Sequence, residues 1–362
     1  MTFDLERLVR RNIRDLKPYS SARSEFKGTA EVFLDANENS FGSPAGAGYN
    51  RYPDPLQSAL RSAVAQLKLL AHSQIFIGNG SDEAIDLLFR VFCDPGGDEV
   101  IACPPTYGMY SVSACINDIV MLEVPLTSDF QLDMPALRAA ITPRTKLIFV
   151  CSPNNPTGNL MNRETVVGLA EQFDGIVVVD EAYVDFAEQS SISGELGSLP
   201  NLVVLQTFSK AWGMAGIRVG LAIASPEIIE LMDRVKPPYN VSEIAQRAVL
   251  EALADRSGID NWIALIKAER ERLAAELADN GLVKLVYPSD ANFLLVKVAG
   301  ANGIYRSLVD EKIVVRNRSS VELCEDCLRI TVGTPSENDR LISALRMIEG
   351  ARGDMSIGPD RR

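Results

Sequence analysis

Short apolar runs alternate with amphipathic segments through the middle of the chain. Runs typical of buried strands occur at 74–77, 99–102, 119–124, 146–150, 175–180, 202–206 and 217–223. Helical periodicity separates several of them, as in RETVVGLAEQF (163–173) and in SDEAIDLLFRVF (81–92), where Ser81 is predicted to be the N-cap. This alternation predicts an α/β fold with a mostly parallel sheet sandwiched by helices. Ligands of such sheets bind beyond the carboxyl ends of the strands.

The pattern changes after KPPYN (236–240). Two long helices are predicted at 242–255 and 259–280, three strands at 292–298, 312–317 and 327–333, and a last helix at 336–350. Their order predicts a smaller α+β domain. We expect a large domain at 40–240 and a small domain that combines 1–39 with 241–350. The tail at 351–362 lacks an apolar period and is predicted to be disordered.

Composition limits the possible partners and the compartment. The chain has 362 residues and a formal net charge of −12, which argues against a nucleic-acid partner. No apolar stretch approaches the roughly 20 residues needed to span a bilayer, so no membrane partner is expected. The N-terminal segment carries acidic residues and lacks the apolar core of a secretory signal. These features predict a cytoplasmic protein.

Few residues are available for metal or redox chemistry. Cys324 and Cys327 form the one CxxC pair, and a zinc site there would need two further ligands. Glu325 and Asp326 lie between these cysteines, where negative charge disfavours a reactive thiolate. The single histidine, His72, lies in a polar turn and is predicted to be a surface residue. We expect reduced thiols, no metal, and chemistry that does not use histidine.

Polar residues follow several predicted strands. The turn GNGSDE (78–83) opens a helix at Ser81, where free N–H groups and the helix dipole suit a phosphate. SPNNPTG (152–158) presents amides at the same edge of the sheet. Asp180 ends a buried strand, where an unpaired carboxylate is costly. Each motif alone also has a plain structural explanation, as a capped turn, a βα turn or a helix N-cap.

The segment TFSKAWGMAGIRVG (207–220) adds a lysine at the end of the next strand. Shielded by apolar neighbours, Lys210 would have a lowered pKa and a free amine suited to a Schiff base, although a surface lysine is the alternative. Thr207, Ser209 and Arg218 would supply hydroxyls and a guanidinium for a phosphate. An amine, a buried carboxylate and phosphate ligands at one sheet edge together fit pyridoxal 5'-phosphate.

The order of these motifs resembles the fold type I pyridoxal-phosphate aminotransferases. It is most similar to the histidinol-phosphate aminotransferase family. The similarity spans nearly the whole chain and rests on LKPYSSAR (16–23), LDANENSFG (34–42), YNRYPDP (49–55), GNGSDEAID (78–86), PPTYGMY (104–110), SPNNPTGN (152–159), VVDEAYVDF (178–186), TFSKAWGMAGIRVG (207–220), SDANFLLV (289–296) and CLRITVGT (327–334). The resemblance implies a fold type I transferase with a large cofactor-binding domain and a smaller α+β domain.

The resemblance also implies cofactor roles. Lys210 would form the Schiff base and later shuttle a proton, and Asp180 would pair with the protonated pyridine nitrogen. The resemblance further implies that Asn155 and Tyr183 donate hydrogen bonds to the ring oxygen and that Tyr107 stacks on the ring face. The implied ligands of the phosphate are Ser81, Asp82, Thr207, Ser209 and Arg218. Tyr52 resembles the tyrosine that reaches the phosphate from the neighbouring subunit, which implies a homodimer with its active site at the interface.

For the substrate, Arg329 lies where the superfamily places its carboxylate-binding arginine. Arg316 is a candidate ligand of a substrate phosphate, with Arg318 as a close competitor, and Tyr19 and Asn37 are predicted to line the pocket. The resemblance implies ping-pong transamination in histidine biosynthesis. Glutamate and 2-oxoglutarate would exchange the amino group with histidinol phosphate and imidazole-acetol phosphate.

Alternatives within the same fold remain open. A phenylalanine or tyrosine aminotransferase shares these motifs and differs only in the distal pocket. A threonine-phosphate decarboxylase uses the same cofactor site and breaks a different bond to the α-carbon. A transcriptional regulator built on this fold would need a basic helix-turn-helix domain, which we do not expect. The complete set of cofactor residues disfavours an inactive subunit.

Overall fold

The computed structural model of the protein describes residues 3–19, 30–46 and 48–356. Its first sheet has seven strands, which are β1 (Ile75–Gly78), β2 (Glu99–Ala102), β3 (Val120–Glu123), β4 (Thr145–Cys151), β5 (Ile176–Asp180), β6 (Leu202–Thr207) and β7 (Gly220–Ile223). Their order across the sheet is β1-β7-β6-β5-β4-β2-β3. The strands from β2 to β6 pair in parallel, whereas β7 is antiparallel to both β1 and β6. The predicted mostly parallel sheet is therefore confirmed.

Strands β1 to β6 lie within one residue of their predicted bounds, but β7 begins three residues late. The predicted strand began at Ile217. Arg218 instead has a left-handed backbone with φ of 59°, which breaks an extended strand. The chain re-enters the sheet at Gly220, opposite Gly78 of β1 and Thr207 of β6.

Helices follow most of the strands, as the sequence predicts. They are α1 (Leu5–Leu8), α2 (Arg11–Arg14), α3 (Ser58–Lys68), α4 (Ser81–Phe92), α5 (Met109–Ile116), α6 (Met134–Ala140), α7 (Arg163–Gln172), α8 (Pro226–Val235), α9 (Glu243–Ala254), α10 (Ser257–Ala278), α11 (Ala301–Asp310) and α12 (Pro335–Ser356). The predicted N-cap of α4 is wrong by one residue. Gly80 is the cap, with φ of 79°, because only glycine adopts that backbone readily, and Ser81 is the first helical residue. None of the described helices is both long and apolar enough to cross a membrane.

Alternate residues of the central strands enter different hydrophobic cores. In β5, Val177 and Val179 pack in one cluster, while Ile176 and Val178 pack in another on the opposite face. This alternation follows from the two-residue side-chain period of a strand. Helices cover both faces, so the sheet is buried and its carboxyl edge is the accessible place for polar chemistry.

The second sheet is antiparallel and has the order β10-β11-β9-β8. Its strands are β8 (Val283–Val286), β9 (Phe293–Val298), β10 (Arg316–Asn317) and β11 (Cys327–Thr331). The predicted strand 312–317 is therefore much shorter, since Lys312 has φ of 62°. Strand β8 was not predicted from the sequence, because only two of its side chains are even partly buried. One face of this sheet packs on α10, α11 and α12. Phe293 and Leu295 of β9 instead join a core of the large sheet.

Both chain ends depart from the predicted domain grouping. Val9 and Ile13 are buried against the large sheet's helices, so these residues pack with the large sheet and not with the small domain to which 1–39 was assigned. Arg10 N donates to Val91 O at 3.0 Å, which fixes this segment on α4. At the other end α12 continues to Ser356, into the tail predicted to be disordered. Residues 357–362 of that tail lie outside the described residues.

Candidate active site

A cavity of about 660 Å³ opens where β4, β5 and β6 end. It is lined by Ser81, Asp82, Thr106, Tyr107, Gly108, Met109, Val112, Cys151, Asn155, Asp180, Ala182, Tyr183, Thr207, Ser209, Lys210, Arg218, Arg316, Arg318, Val321 and Arg329. The carboxyl edge of the large sheet forms one side of the cavity. The second sheet and the residues just after β10 form the other side, with Arg316, Arg318 and Arg329. Most of the residues predicted from separate motifs therefore meet in one cavity, whose volume is typical of a binding site for a small-molecule ligand.

Asp180 provides a buried carboxylate at the floor of the cavity. Its Oδ2 accepts a hydrogen bond from the Tyr110 hydroxyl at 2.8 Å, and its Oδ1 accepts one from Ala182 N at 3.1 Å. Burial raises the pKa of Asp180 to about 6, and these two hydrogen bonds oppose that rise because they stabilise the ionised form. The carboxylate is thus prepared for a cationic partner from the cavity.

Lys210 projects into this cavity and is exposed there, which corrects the expectation that apolar neighbours shield it. Phe208, Ala211 and Trp212 turn into the core instead, while Ser209 and the lysine face the cavity. The pKa of Lys210 is lowered, chiefly by partial burial and then by the positive charge of Arg329. Its Nζ lies 5.5 Å from the centre of the Tyr183 ring, and no described residue is hydrogen-bonded or ion-paired to it. A lysine in this setting offers a free amine.

An anion-binding cradle lies at the N-terminus of α4. Arg218 reaches this helix end, with Nη2 at 3.4 Å from Asp82 Oδ2 and Nη1 at 3.5 Å from Ser209 Oγ. A Cβ added at Gly80 would lie 2.6 Å from Arg218 Nη2, so glycine is needed for this approach. Ser209 N also donates to Thr207 Oγ1 at 3.0 Å, which orders the turn after β6. Helix N–H groups, hydroxyls and a guanidinium together suit a phosphate.

The cradle depends on close packing of β7 against the start of α4. A Cβ at Gly220 would overlap the backbone of Gly80 and Ser81, which cannot move aside without shifting the helix. We therefore expect Gly220→Ala to destabilise the protein by about 1–3 kcal/mol and to weaken phosphate binding. Chemical denaturation and binding of inorganic phosphate would measure the two effects. Gly216→Ala is the matched control, because a Cβ there meets nothing within 4 Å; equal behaviour of the two variants would contradict the packing argument.

Tyr107, Asn155 and Tyr183 line the walls between the carboxylate and the arginines. Tyr107 donates to Asp82 Oδ1 at 3.1 Å, and Asn155 Nδ2 donates to the Tyr183 hydroxyl at 3.5 Å. Arg329 in turn donates to Asn155 Oδ1. Burial raises the pKa of both tyrosines, so their hydroxyls stay protonated at neutral pH.

Three arginines of the second sheet face the cavity. Arg316 on β10 pairs directly with Arg329 on β11, and Arg318, just after the end of β10, lines the same cavity. No described carboxylate forms a salt bridge with any of the three. The Nε of Arg318 is buried and has no hydrogen-bond partner among the groups described. Burial and the neighbouring guanidinium charges lower the pKa of both Arg318 and Arg329. Like charges placed opposite each other destabilise a sheet, so this arrangement calls for an anion.

Three of the predicted residues lie elsewhere in the single chain. Tyr52 is 52% exposed and stacks on Tyr239 with ring centres 4.6 Å apart, and Asn37 lies in an exposed turn with φ of 55°. Tyr19 is 75% exposed and lines a different, mostly apolar groove beside α8. The predicted pocket positions of Tyr19 and Asn37 are therefore not found within one chain. Residues 20–23 of the LKPYSSAR motif lie outside the described residues.

Tyr110, which touches Asp180, was not among the site residues predicted from the sequence. Its signal was its position in the motif PPTYGMY (104–110), three residues after Tyr107, whose ring it meets edge-on. Arg316 and Arg318 were alternative candidates for the substrate phosphate, and the structure brings both to the cavity.

Comparison with known proteins agrees with this geometry. The aminotransferase class I and II family matches residues 22–345. A histidinol-phosphate aminotransferase from Cytophaga hutchinsonii is 51% identical over 346 residues, which cover 96% of this chain and 99% of that protein. Another, from Parabacteroides distasonis, is 52% identical over 343 residues and covers 95% and 98%, respectively. The crystal structure of histidinol-phosphate aminotransferase from Sinorhizobium meliloti, in complex with pyridoxal-5'-phosphate, has a TM-score of 0.79 at 27% identity and covers 88% of this chain and 90% of that chain. The chain described here belongs to the aminotransferase class I and II family.

Proposed function

We propose that this protein is a pyridoxal-phosphate-dependent transaminase that interconverts histidinol phosphate and imidazole-acetol phosphate in histidine biosynthesis. Glutamate and 2-oxoglutarate are the second substrate pair, in a ping-pong reaction. The names of the relatives support the substrate, since two proteins about half identical over nearly the whole chain are histidinol-phosphate aminotransferases. The proposed working unit is a cytoplasmic homodimer.

The observation that carries the substrate assignment is the group of three arginines without carboxylate partners. A phosphate monoester carries close to two negative charges at neutral pH, whereas an amino-acid carboxylate carries one. Arg316, Arg318 and Arg329 together match a dianion better than a single carboxylate. Glutamate, which has two carboxylates and no phosphate, would use the same guanidinium groups in the other half-reaction.

The cavity also fits the proposed cofactor in three independent places. Lys210 presents a free amine, Asp180 a buried carboxylate, and the N-terminus of α4 an anion cradle with Arg218 and Ser209. Bound pyridoxal phosphate supplies an aldehyde for imine exchange and an electron-withdrawing ring that stabilises negative charge at the substrate α-carbon. Tyr107 would cover the ring face, while Asn155 and Tyr183 would donate to the ring oxygen.

The residues of this chain supply the proton chemistry and the positioning. Lys210, with a lowered pKa and no fixed partner, can accept and return a proton at the substrate α-carbon. Asp180 holds a positive charge at the cavity floor, and Arg329 orients an anionic substrate above it. The link from Arg329 to Asn155 connects substrate binding with the ring contacts.

We further propose a domain division near residue 240 and a role for Tyr52 in the partner subunit. Tyr52 and its stacking partner Tyr239 lie outside the cavity of their own chain, with Tyr52 half exposed. A half-exposed tyrosine that rests on a second aromatic ring is suited to contact a second copy. In the dimer Tyr52 would reach the other subunit's phosphate cradle, which makes the homodimer necessary for a complete site.

The proposed substrate is tested by half-reaction kinetics with the cofactor-loaded protein. We expect histidinol phosphate to react about 10- to 100-fold faster, per unit concentration, than histidinol, since charge-assisted hydrogen bonds to the phosphate contribute about 1.5–3 kcal/mol. Arg316→Gln should reduce this preference, whereas Arg306→Gln, an exposed arginine on α11 outside the cavity, should not. Bleaching of the visible cofactor band with each amino donor reports the rates.

Two outcomes would contradict this substrate. Faster reaction with phenylalanine than with histidinol phosphate would indicate an aromatic aminotransferase. Release of carbon dioxide from threonine phosphate would indicate the decarboxylase. The solved L-threonine-O-3-phosphate decarboxylase from Porphyromonas gingivalis shares the fold, with a TM-score of 0.71 at 24% identity, so the fold alone does not separate these activities.

A further inference from the structure

Tyr110 is fully buried directly behind Asp180. Its ring stacks on Phe149 with centres 4.7 Å apart and planes at 18°, and it meets Tyr107 edge-on at 5.6 Å. These contacts fix the ring, so the hydroxyl can point in only a narrow range of directions. It points at Asp180 Oδ2, at 2.8 Å.

This hydrogen bond has a defined direction. An ionised carboxylate only accepts, so the tyrosine donates its one proton to Asp180. With Ala182 N bonded to Oδ1, each carboxylate oxygen has one donor from the protein, which fixes the rotation of the group and stabilises its ionised form. Each oxygen keeps a second lone-pair position for a partner from the cavity.

We propose that Tyr110 is a positioning residue that holds Asp180 ionised and oriented toward the pyridine nitrogen of the cofactor. This inference rests on the proposed cofactor assignment of Asp180. The role is specific to the ring nitrogen, because the hydroxyl stabilises a charge that is needed only where the cofactor presents a protonated nitrogen. Tyr110 lies outside the lining of the cavity and would act only through Asp180.

A merely structural role predicts something different. If Tyr110 only supports Tyr107 and the core, its replacement would weaken the binding of every ring-shaped ligand equally. If Tyr110 has the proposed role, its replacement weakens the binding of pyridoxal phosphate but not the binding of an analogue that carries a carbon atom in place of the ring nitrogen. The two ligands share the ring face, the aldehyde and the phosphate, so their affinity ratio isolates the nitrogen.

The experiment measures dissociation constants of both ligands for the cofactor-free protein by fluorescence titration. We expect the wild type to prefer pyridoxal phosphate to the carbon analogue and Tyr110→Phe to reduce that preference about tenfold, since a hydrogen bond to a charged group is lost. The ¹⁵N resonance of the labelled cofactor should also move away from the pyridinium position in this variant. Tyr287→Phe is the matched control, because Tyr287 is partly buried and lies outside the cavity.

The outcomes separate this inference from the proposed function. A wild type that does not discriminate between the ligands would overturn both the Asp180 assignment and the role of Tyr110. A wild type that discriminates, with an unchanged ratio and an unchanged resonance in Tyr110→Phe, would overturn the role of Tyr110 alone. If Tyr110→Phe does not fold, Tyr110→His and Tyr110→Leu replace it, since both shorten the side chain and only histidine keeps a donor. A larger preference for pyridoxal phosphate over the carbon analogue in Tyr110→His than in Tyr110→Leu supports the inference, and equal preferences in the two variants contradict it.

Discussion

Lys210→Ala should lower the rate of amino-group transfer by about three to four orders of magnitude without unfolding the protein. In the proposed function the lysine supplies both the amine that exchanges with the substrate and the group that moves the α-proton, and removal of a positioned proton carrier alone has an effect of about 10²–10⁴. Single-turnover kinetics with glutamate would measure the loss.

The fold should survive because Lys210 makes no described hydrogen bond or ion pair. Its side chain is exposed to the cavity, and its pKa is lowered by partial burial and nearby arginines, so the charged form contributes little to stability. Lys236, by contrast, has a structural role, since its Nζ donates hydrogen bonds to Pro55 O at 2.6 Å and to Asn240 Oδ1 at 3.0 Å. We therefore expect the thermal unfolding of Lys210→Ala to match that of the wild type.

Two companion variants sharpen this test. Lys210→Arg keeps a positive charge but lacks an amine of suitable pKa, and should be as inactive as the alanine variant. Lys284→Ala removes an exposed lysine from β8 and should retain full activity. Near-normal transfer by either Lys210 variant would show that the amine comes from another residue.

The sequence predicted the parts of the fold that depend on local pattern. Strands such as β2 (Glu99–Ala102) and β5 (Ile176–Asp180) carry apolar side chains on both faces and a carboxylate only at one end, and such a strand needs a sheet that is covered on both faces. The departures occur where backbone conformation overrides side-chain preference. Arg218 and Lys312 both adopt positive φ inside predicted strands, and neither position holds the glycine that would signal such a backbone.

The meeting of side chains at the carboxyl edge of the large sheet was predictable from the sequence, and the meeting of the arginines of the second sheet was less so. Asp180 ends β5 and Lys210 lies three residues after the end of β6, and the parallel topology places such residues at one edge. The pairing of Arg316 with Arg329 depends on the register between two strands, which no local pattern specifies. The exposure of Lys210 was also misjudged, because apolar neighbours in sequence turned into the core while the lysine faced the cavity.

Asp180→Asn should abolish most transaminase activity and at the same time stabilise the cofactor-free protein at neutral pH. Burial raises the pKa of Asp180 from its usual 3.8 to about 6, so the folded state binds this proton more tightly than the unfolded state. The stabilising effect of the protonated carboxyl is fully present below pH 3.8 and is lost as the pH rises through about 6. A shift of roughly two units corresponds to about 3 kcal/mol at pH 7, an order-of-magnitude figure.

Asparagine stays neutral at every pH and is free of this penalty. The difference in unfolding free energy between Asp180→Asn and the wild type should therefore grow from pH 4 to pH 7, as measured by urea denaturation of the cofactor-free proteins. Addition of pyridoxal phosphate should reverse the order, since only the carboxylate pairs with a protonated ring nitrogen. A wild type that is equally or more stable than the variant at pH 7 without cofactor would contradict the idea that Asp180 is an unfavourable charge kept for its function.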